Sequence, residues 1–245
     1  MPPKKKLISK TICGDCLSIF RGLPKAKMVF ADPPDNLGMK YNGYKDKISP
    51  EEYFIWMIRL IDIILCGKNS PDIFWLSYYH KYQSIIFRHT ISPCININKI
   101  EWRQFIWRFT FGQHRHTDCG NGYRPIMRWM KKNAIIYPDA IRVPSARQKI
   151  YNDKRANPKG KVPDDVWDFS RVCGTFNEKR KWHPTQHPEA LMERIIRFSC
   201  IPGDLVVDLF SGTGTTQRVC KRLNIDCIGI DISKLYCDKI RKELR

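Results

Sequence analysis

Residues 205–231 read LVVDLFSGTGTTQRVCKRLNIDCIGID. Leu205-Val206-Val207-Asp208-Leu209 is a buried strand by composition, and Phe210-Ser211-Gly212-Thr213-Gly214-Thr215-Thr216 is a glycine loop. A helix then runs through Leu223, Asn224 turns the chain, and residues 227–231 form a second strand that closes on an acid. Strand, glycine loop, helix, strand, acid is the repeating unit of a doubly wound, mostly parallel α/β sheet. Glycines at the C-terminal end of a strand permit a tight turn and let a ligand approach the backbone closely. Asp231, seventeen residues beyond Gly214, stands where such folds accept hydrogen bonds from ribose hydroxyls. Gln217 occupies the place of a third glycine, and the loop lacks the lysine that cradles phosphates. Both features argue against NAD and ATP and leave a nucleoside cofactor without phosphates.

Residues 28–38, MVFADPPDNLG, hold a second apolar strand, Met28-Val29-Phe30-Ala31, which ends on Asp32 and is followed by Pro33, Pro34 and Asp35. The exocyclic amine of adenine or cytosine is a poor nucleophile because its lone pair is delocalised into the ring. Two acceptors placed around the NH2 group would hold it and favour a pyramidal, nucleophilic nitrogen. A carboxylate supplies one acceptor, and a backbone carbonyl fixed by proline, which locks φ and cannot donate, supplies the other. The remaining catalysis is then positioning and electrostatics. A plain turn after a strand would also suit Asp-Pro-Pro in isolation; with the glycine loop in the same chain the chemical reading takes precedence.

The flanking elements are consistent with one α/β domain in a 245-residue chain. Residues 7–12 and 73–76 read as short strands, 51–66 as an amphipathic helix opened by Ser49-Pro50, and 188–200 as a helix. In residues 102–111, Phe105, Trp107, Phe109 and Phe111 recur at period two, which predicts a strand whose aromatic face joins the core. Trp167 is expected to pack there as well.

Formal net charge is +19, from 43 Lys and Arg against 24 Asp and Glu, which points to a polyanionic partner. The charge is concentrated in residues 142–161, RVPSARQKIYNDKRANPKGK, where Arg142, Arg147, Lys149, Lys154, Arg155, Lys159 and Lys161 alternate with turn-forming residues. That loop suits contact with phosphates. The ten cysteines lie mainly in apolar runs and read as reduced thiols. The group His114, His116, Cys119, Cys173, His183 and His187 lacks the paired spacing of a zinc site, so no metal is expected. No apolar run reaches membrane-spanning length, and the basic start has no apolar signal core behind it. The chain reads as a soluble cytoplasmic protein.

Asp-Pro-Pro after an apolar strand, with Phe-Ser-Gly-Thr-Gly-Thr-Thr near the far end, resembles the S-adenosylmethionine-dependent DNA amino-methyltransferases that modify adenine N6 or cytosine N4. The order of the two motifs, catalytic first and cofactor last, is similar to the beta group. Two further stretches agree: Gly14-Asp15-Cys16, and Trp182-His183-Pro184-Thr185-Gln186-His187-Pro188.

The resemblance implies a Rossmann-like methyltransferase fold built from residues 1–95 and 181–245, with 96–180 as a target-recognition region partly integral to the same domain. It implies catalysis by Asp32, Pro33, Pro34 and Asp35, and cofactor contacts from Asp15, Cys16, Thr185, Asp208, Phe210, Gly212, Gly214 and Asp231. Asp15 would meet the cofactor adenine and Thr185 its methionine end. The substrate implied is double-stranded DNA with the target base flipped out, adenine N6 in preference to cytosine N4. A non-catalytic nucleic-acid-binding protein on the same fold is the alternative. The departure is Asp35, where the family usually carries an aromatic that stacks on the flipped base; Asp35 would bond the target instead, or Tyr41 or Tyr44 would supply the stacking. The small recognition region suits a short target or a homodimer, and no nuclease motif is apparent.

Overall fold

The computed structural model describes residues 7–90, 99–109, 111 and 115–245. An eight-stranded sheet runs through it. Its strands are β1 (Ser9–Cys13), β2 (Met28–Ala31), β5 (Ile73–Ser77), β6 (Ile100–Arg108), β7 (Tyr123–Lys131), β8 (Val166–Asp168), β9 (Leu205–Asp208) and β10 (Asp226–Asp231), ordered β1-β10-β9-β2-β5-β7-β6-β8. A separate hairpin pairs β3 (Lys40–Tyr41) with β4 (Tyr44–Lys45). The five strands from β1 to β5 in that order pair in parallel, β7 is antiparallel to both β5 and β6, and β6 and β8 are again parallel. The mostly parallel α/β sheet read from the glycine loop is therefore observed. Three of its strands, β6, β7 and β8, come from residues 96–180 and extend the same sheet.

Helices cover both faces because the central strands are apolar on both. Val29 and Ala31 face one cluster, which holds Tyr53, Met57 and Leu60 of α2 (Pro50–Cys66); Met28 and Phe30 face the other, which holds Leu191 and Ile195 of α5 (Glu189–Ser199) and Val219 of α6 (Thr215–Leu223). The short α1 (Cys16–Phe20) and α3 (Gln83–Thr90) follow β1 and β5, and α4 (Ala146–Lys149) lies in the basic loop. α7 (Lys234–Leu244) packs on β1 and β10. α2 starts where Ser49-Pro50 predicted: Ser49 Oγ accepts from Glu52 N at 3.2 Å, and Glu52 Oε2 accepts from Ser49 N at 3.0 Å. α6 ends at Asn224, whose φ of 57° is the left-handed cap. No helix among the described residues is long and apolar enough to cross a membrane.

The aromatic strand face is core, as its period predicted. Phe105 and Trp107 of β6 are buried with Trp75, Trp167 and Phe198, whereas Phe111, beyond the strand end, is exposed. This core also buries a cation: the Arg128 guanidinium lies 5.3–5.7 Å from the ring centres of Trp75, Phe105 and Phe198, and burial pulls its pKa down to about 10.

Candidate active site

Every parallel strand from β1 to β5 delivers a polar residue at its C-terminal end, where doubly wound sheets bind ligands. Asp15 follows β1, Asp32 follows β2, Ser77 ends β5, Asp208 ends β9 and Asp231 ends β10. One cavity spans this edge, and its lining includes Asp15, Cys16, Asp32, Pro34, Thr185, Asp208, Phe210, Gly212 and Asp231. Among the described residues no lysine or arginine lines it.

In the glycine-loop half, Asp231 Oδ2 accepts from Gly212 N and Oδ1 from Ser233 N, both at 2.8 Å. Burial nevertheless pushes its carboxyl upward. Asp208 accepts from Phe210 N at 3.0 Å. Burial, outweighing the Thr216 and Phe210 hydrogen bonds, lifts its pKa to about 7, and the charges of Asp32 and Asp231 add to the shift. Asp15 caps α1, accepting from Ser18 N at 2.9 Å and from Ser18 Oγ at 2.7 Å. Burial and the Asp15 charge push the Cys16 thiol to about 12, so it stays protonated. Gly212 has φ 50°, and a Cβ there would stand 3.2 Å from the His183 ring. His183 is fixed in turn by the Thr185 backbone. Gly214 is the one predicted cofactor residue outside the cavity lining: a Cβ there would meet Ile240 of α7 at 3.0 Å, so it serves helix packing.

In the DPP half, Asp32 and Asp35 share one guanidinium. Arg124 Nη2 donates to Asp32 Oδ1 at 2.7 Å and to Asp35 Oδ1 at 2.9 Å, while Nη1 donates to Asp35 Oδ2 at 2.6 Å. Arg124 Nε donates to Ser77 Oγ at 2.6 Å, and Ser77 Oγ lies 3.3 Å from His187 Nε2. His187 Nδ1 sits 3.2 Å from the second Asp32 oxygen. Burial pulls the His187 pKa down, so the ring is neutral at pH 7, and protonation on Nδ1 satisfies both contacts. Burial alone would raise the Asp32 pKa, but Arg124, His187 and Ser77 outweigh it and hold the carboxyl below its ordinary range. Two carboxylates, one guanidinium and a neutral imidazole leave this cluster with one net negative charge. Tyr53 of α2 and Tyr82, just before α3, brace the loop: Tyr53 OH donates to the Pro34 carbonyl at 2.8 Å, and Tyr82 OH to the Asp35 carbonyl at 3.1 Å.

Asp35 is thus tied to Arg124. Tyr41 and Tyr44 line the cavity, Tyr41 with its ring 5.6 Å from that of His183. Arg124, Ser77 and His187 are the members of the cluster to which the sequence reading gave no catalytic role. An unpartnered acid at position 35 was the available signal, because a carboxylate beside Asp32 demands a nearby cation. Nothing in the sequence selects Arg124 among the other basic residues, since its partner lies 89 positions away.

The basic loop is held together by its own contacts and leads into β8. Val143 and Lys161 pair as an antiparallel bridge, Ser145 and Gln148 form a capping box on α4, and Asp153 binds Arg147 at 2.7 Å and Arg155 at 3.0 Å. Arg142 turns inward to the Gly160 carbonyl at 2.7 Å, and Lys161 pairs with Asp164 at 2.6 Å. Lys149, Lys154 and Lys159 project as exposed charges. No described hydrogen bond or ion pair joins this loop to the DPP cluster. Among the described residues no group of His, Cys, Asp or Glu is arranged to hold a metal ion; His114 lies outside them.

A family model described as DNA methylase, of N6/N4 methyltransferase type, matches residues 26–242. The DNA adenine methyltransferase YhdJ of Escherichia coli strain K12 is 32% identical over 242 residues, covering 93% of this chain and 80% of its own. Among solved structures, the cytosine-N4-specific PvuII DNA methyltransferase superposes with a TM-score of 0.69 at 16% identity, over 97% of this chain and 88% of its own. The M1.HpyAVI–SAM complex superposes with a TM-score of 0.60 at 22% identity, over 96% and 98%.

Proposed function

The chain belongs to the DNA methylase family of N6/N4 amino-methyltransferases and uses S-adenosylmethionine; we propose that its target is the N6 amine of an adenine turned out of duplex DNA into the cavity beside Asp32. The observation that carries this reading is the pairing of two unlike halves along one sheet edge. One half is an acidic, phosphate-excluding nucleoside site, and the other is an ionised carboxylate on a proline-locked loop.

The residues fit the cofactor. A cavity with Asp208 and Asp231 and no lysine or arginine repels phosphates and favours a nucleoside with a cationic tail. Asp231 would hold the ribose hydroxyls, Phe210 with Trp56 beside it (ring centres 5.9 Å apart) would flank the adenine, and Asp208 would face the cationic methionine end. When bound, S-adenosylmethionine supplies an electrophilic methyl group.

Asp32 accepts one hydrogen of the target amine. A backbone carbonyl of the Pro33-Pro34 pair serves as second acceptor; Pro34 lines the cavity, and Tyr53 braces its carbonyl while leaving it a second lone pair. As the nitrogen's lone pair is drawn into a new bond, positive charge develops on it, and the net negative Asp32–Asp35–Arg124 cluster stabilises that charge without reorganising. Arg124 and His187 keep Asp32 aimed and ionised. The ion pair at position 35 is thereby part of an intact acidic site, which favours turnover over a purely binding role. Adenine is preferred to cytosine because the 32%-identical relative is named an adenine methyltransferase, whereas the cytosine-N4 enzyme at 16% identity speaks only for the fold.

Incubating the protein with unmethylated duplex DNA and S-adenosylmethionine, followed by nucleoside mass spectrometry, tests this directly. N6-methyladenine is expected. N4-methylcytosine would correct the base, and neither product would overturn the reading.

A further inference from the structure

The β3–β4 hairpin follows the DPP loop directly, and its two faces differ. In the antiparallel register Tyr41 opposes Tyr44, and Lys40 opposes Lys45. Directly opposed residues share a face and adjacent residues point oppositely, so the tyrosine pair and the lysine pair lie on opposite sides. The tyrosine side lines the cofactor cavity. The turn is tied down there: Asn42 N donates to Tyr236 OH at 2.9 Å, and Ser233 Oγ donates to Asn42 Oδ1 at 2.7 Å.

The other side is exposed and oddly composed. Two lysines stand directly opposite each other, an arrangement that destabilises a strand pair. Lys47 is exposed beside them, and none of the three has an ion-pair partner among the described residues. Leu37 and Met39 are 54% and 37% exposed. Their loop is nonetheless rigidly built: the buried Asp46 carboxylate accepts from Asn36 N at 2.7 Å, Leu37 N at 3.2 Å and Met39 N at 2.9 Å. Asn36 adds a two-way bond with the Ile48 backbone. Leu37 lies two residues beyond Asp35, within about 7 Å of chain.

We propose that this outer hairpin face is a duplex-DNA contact at the lip of the active site, with Lys40, Lys45 and Lys47 on backbone phosphates and Leu37 and Met39 against the base step opened when the target leaves the stack. Phosphates relieve the Lys40–Lys45 repulsion, and rigidly presented Leu and Met side chains are the kind that wedge between base steps. The inference rests on the assignment of DNA as substrate.

The test compares wild-type protein with the triple variant Lys40→Gln/Lys45→Gln/Lys47→Gln and with Leu37→Ala/Met39→Ala, using duplex DNA in a salt titration and S-adenosylmethionine binding as a separate readout. The triple variant should lower the slope of log affinity against log salt by about 2–3, near 0.9 for each phosphate no longer neutralised. The apolar variant should keep the slope but raise the KM for DNA severalfold. Both should bind cofactor as wild type does. An unchanged slope in the triple variant overturns the inference, as does weakened cofactor binding in step with DNA binding, which would make the hairpin a structural lid only. Wild-type protein that neither binds nor methylates duplex DNA would overturn the substrate assignment and this inference together.

Discussion

Arg124 and Asp35 form a two-point ion pair, Nη1 to Oδ2 at 2.6 Å and Nη2 to Oδ1 at 2.9 Å, and the same Nη2 also holds Asp32. Asp35 takes the larger share of the guanidinium, which leaves Asp32 ionised but not fully neutralised. Replacing Asp35 by Asn gives the whole cation to Asp32 and makes it a weaker acceptor. D35N should lower kcat about tenfold to a hundredfold, equivalent to about 1.4–2.8 kcal/mol, with cofactor affinity unchanged. The double variant D35N/R124Q should recover part of the loss, because the residues act as a unit. An unchanged kcat with a raised KM for DNA would mean that Asp35 touches the base instead.

Removing Arg124 alone has a different consequence. Two half-buried carboxylates would then face each other without a cation. R124A should cost about 3 kcal/mol of stability and lower Tm by roughly 6–12 °C for a chain of this size. R124A/D35A, which removes one of the stranded acids, should melt higher than R124A. Thermal melts at neutral pH decide this, and identical melting of wild type and R124A would show that the ion pair adds nothing to stability.

Asp32 itself is tested by D32N, which keeps an acceptor oxygen and loses the charge. Removing one preorganised electrostatic partner typically costs about 10²–10³ in kcat, and that range is expected here. S-adenosylmethionine should bind normally, because Asp32 belongs to the other half of the cavity. D32A removes the acceptor as well and should show no turnover. Appreciable methylation by D32A would displace Asp32 from the mechanism.

The sequence was most legible where periodicity and turn chemistry agree with tertiary packing. Met28 to Ala31, the Ser49-Pro50 helix start, the Asn224 turn and the Asp231 strand end all lie where the local pattern placed them. The glycine-loop part of the cavity was readable for the same reason, since Asp208, Phe210, Gly212 and Asp231 sit within one strand–loop–helix–strand unit, whereas Asp15, Cys16 and Thr185 come from elsewhere in the chain. The catalytic cluster was readable only in its Asp-Pro-Pro part. Ser77, Arg124 and His187 reach Asp32 from three distant elements, and side-chain convergence across 45 to 155 positions leaves no periodic trace. Gly214 has a packing role that its motif position did not suggest: its missing side chain makes room for Ile240.

The basic loop depends on one backbone position. Gly160 has φ 83°, and a Cβ there would stand 2.3 Å from the Val143 carbonyl oxygen. Gly160→Ala must therefore break the Val143–Lys161 bridge or distort it, at about 1–3 kcal/mol of local strain. Faster proteolytic cleavage within 142–161 and weaker DNA binding are expected, with cofactor binding intact. Unaltered DNA affinity despite a demonstrably opened loop would show that Lys149, Lys154 and Lys159 do not meet phosphates.

Asp208 makes the pH dependence of cofactor binding predictable. Its pKa is about 7 in the folded protein against an ordinary 3.8, so between those values the native state holds a proton that the unfolded state has lost. Its contribution to stability is therefore full below about 3.8, declines as pH rises, and is lost above about 7, a swing of roughly 4 kcal/mol at most. D208N removes that decline, and the cofactor-free variant should melt higher than wild type at pH 8 but not at pH 4. A cationic ligand favours the ionised carboxylate, so binding S-adenosylmethionine should expel the proton. Affinity should rise as pH increases from 5.5 towards 7 and level off above it, with proton release detectable by calorimetry in buffers of different ionisation heat. D208N should bind weakly and without that pH dependence. A wild-type affinity that is flat from pH 5.5 to 8, with no proton released, would mean that Asp208 does not face the cofactor's positive charge.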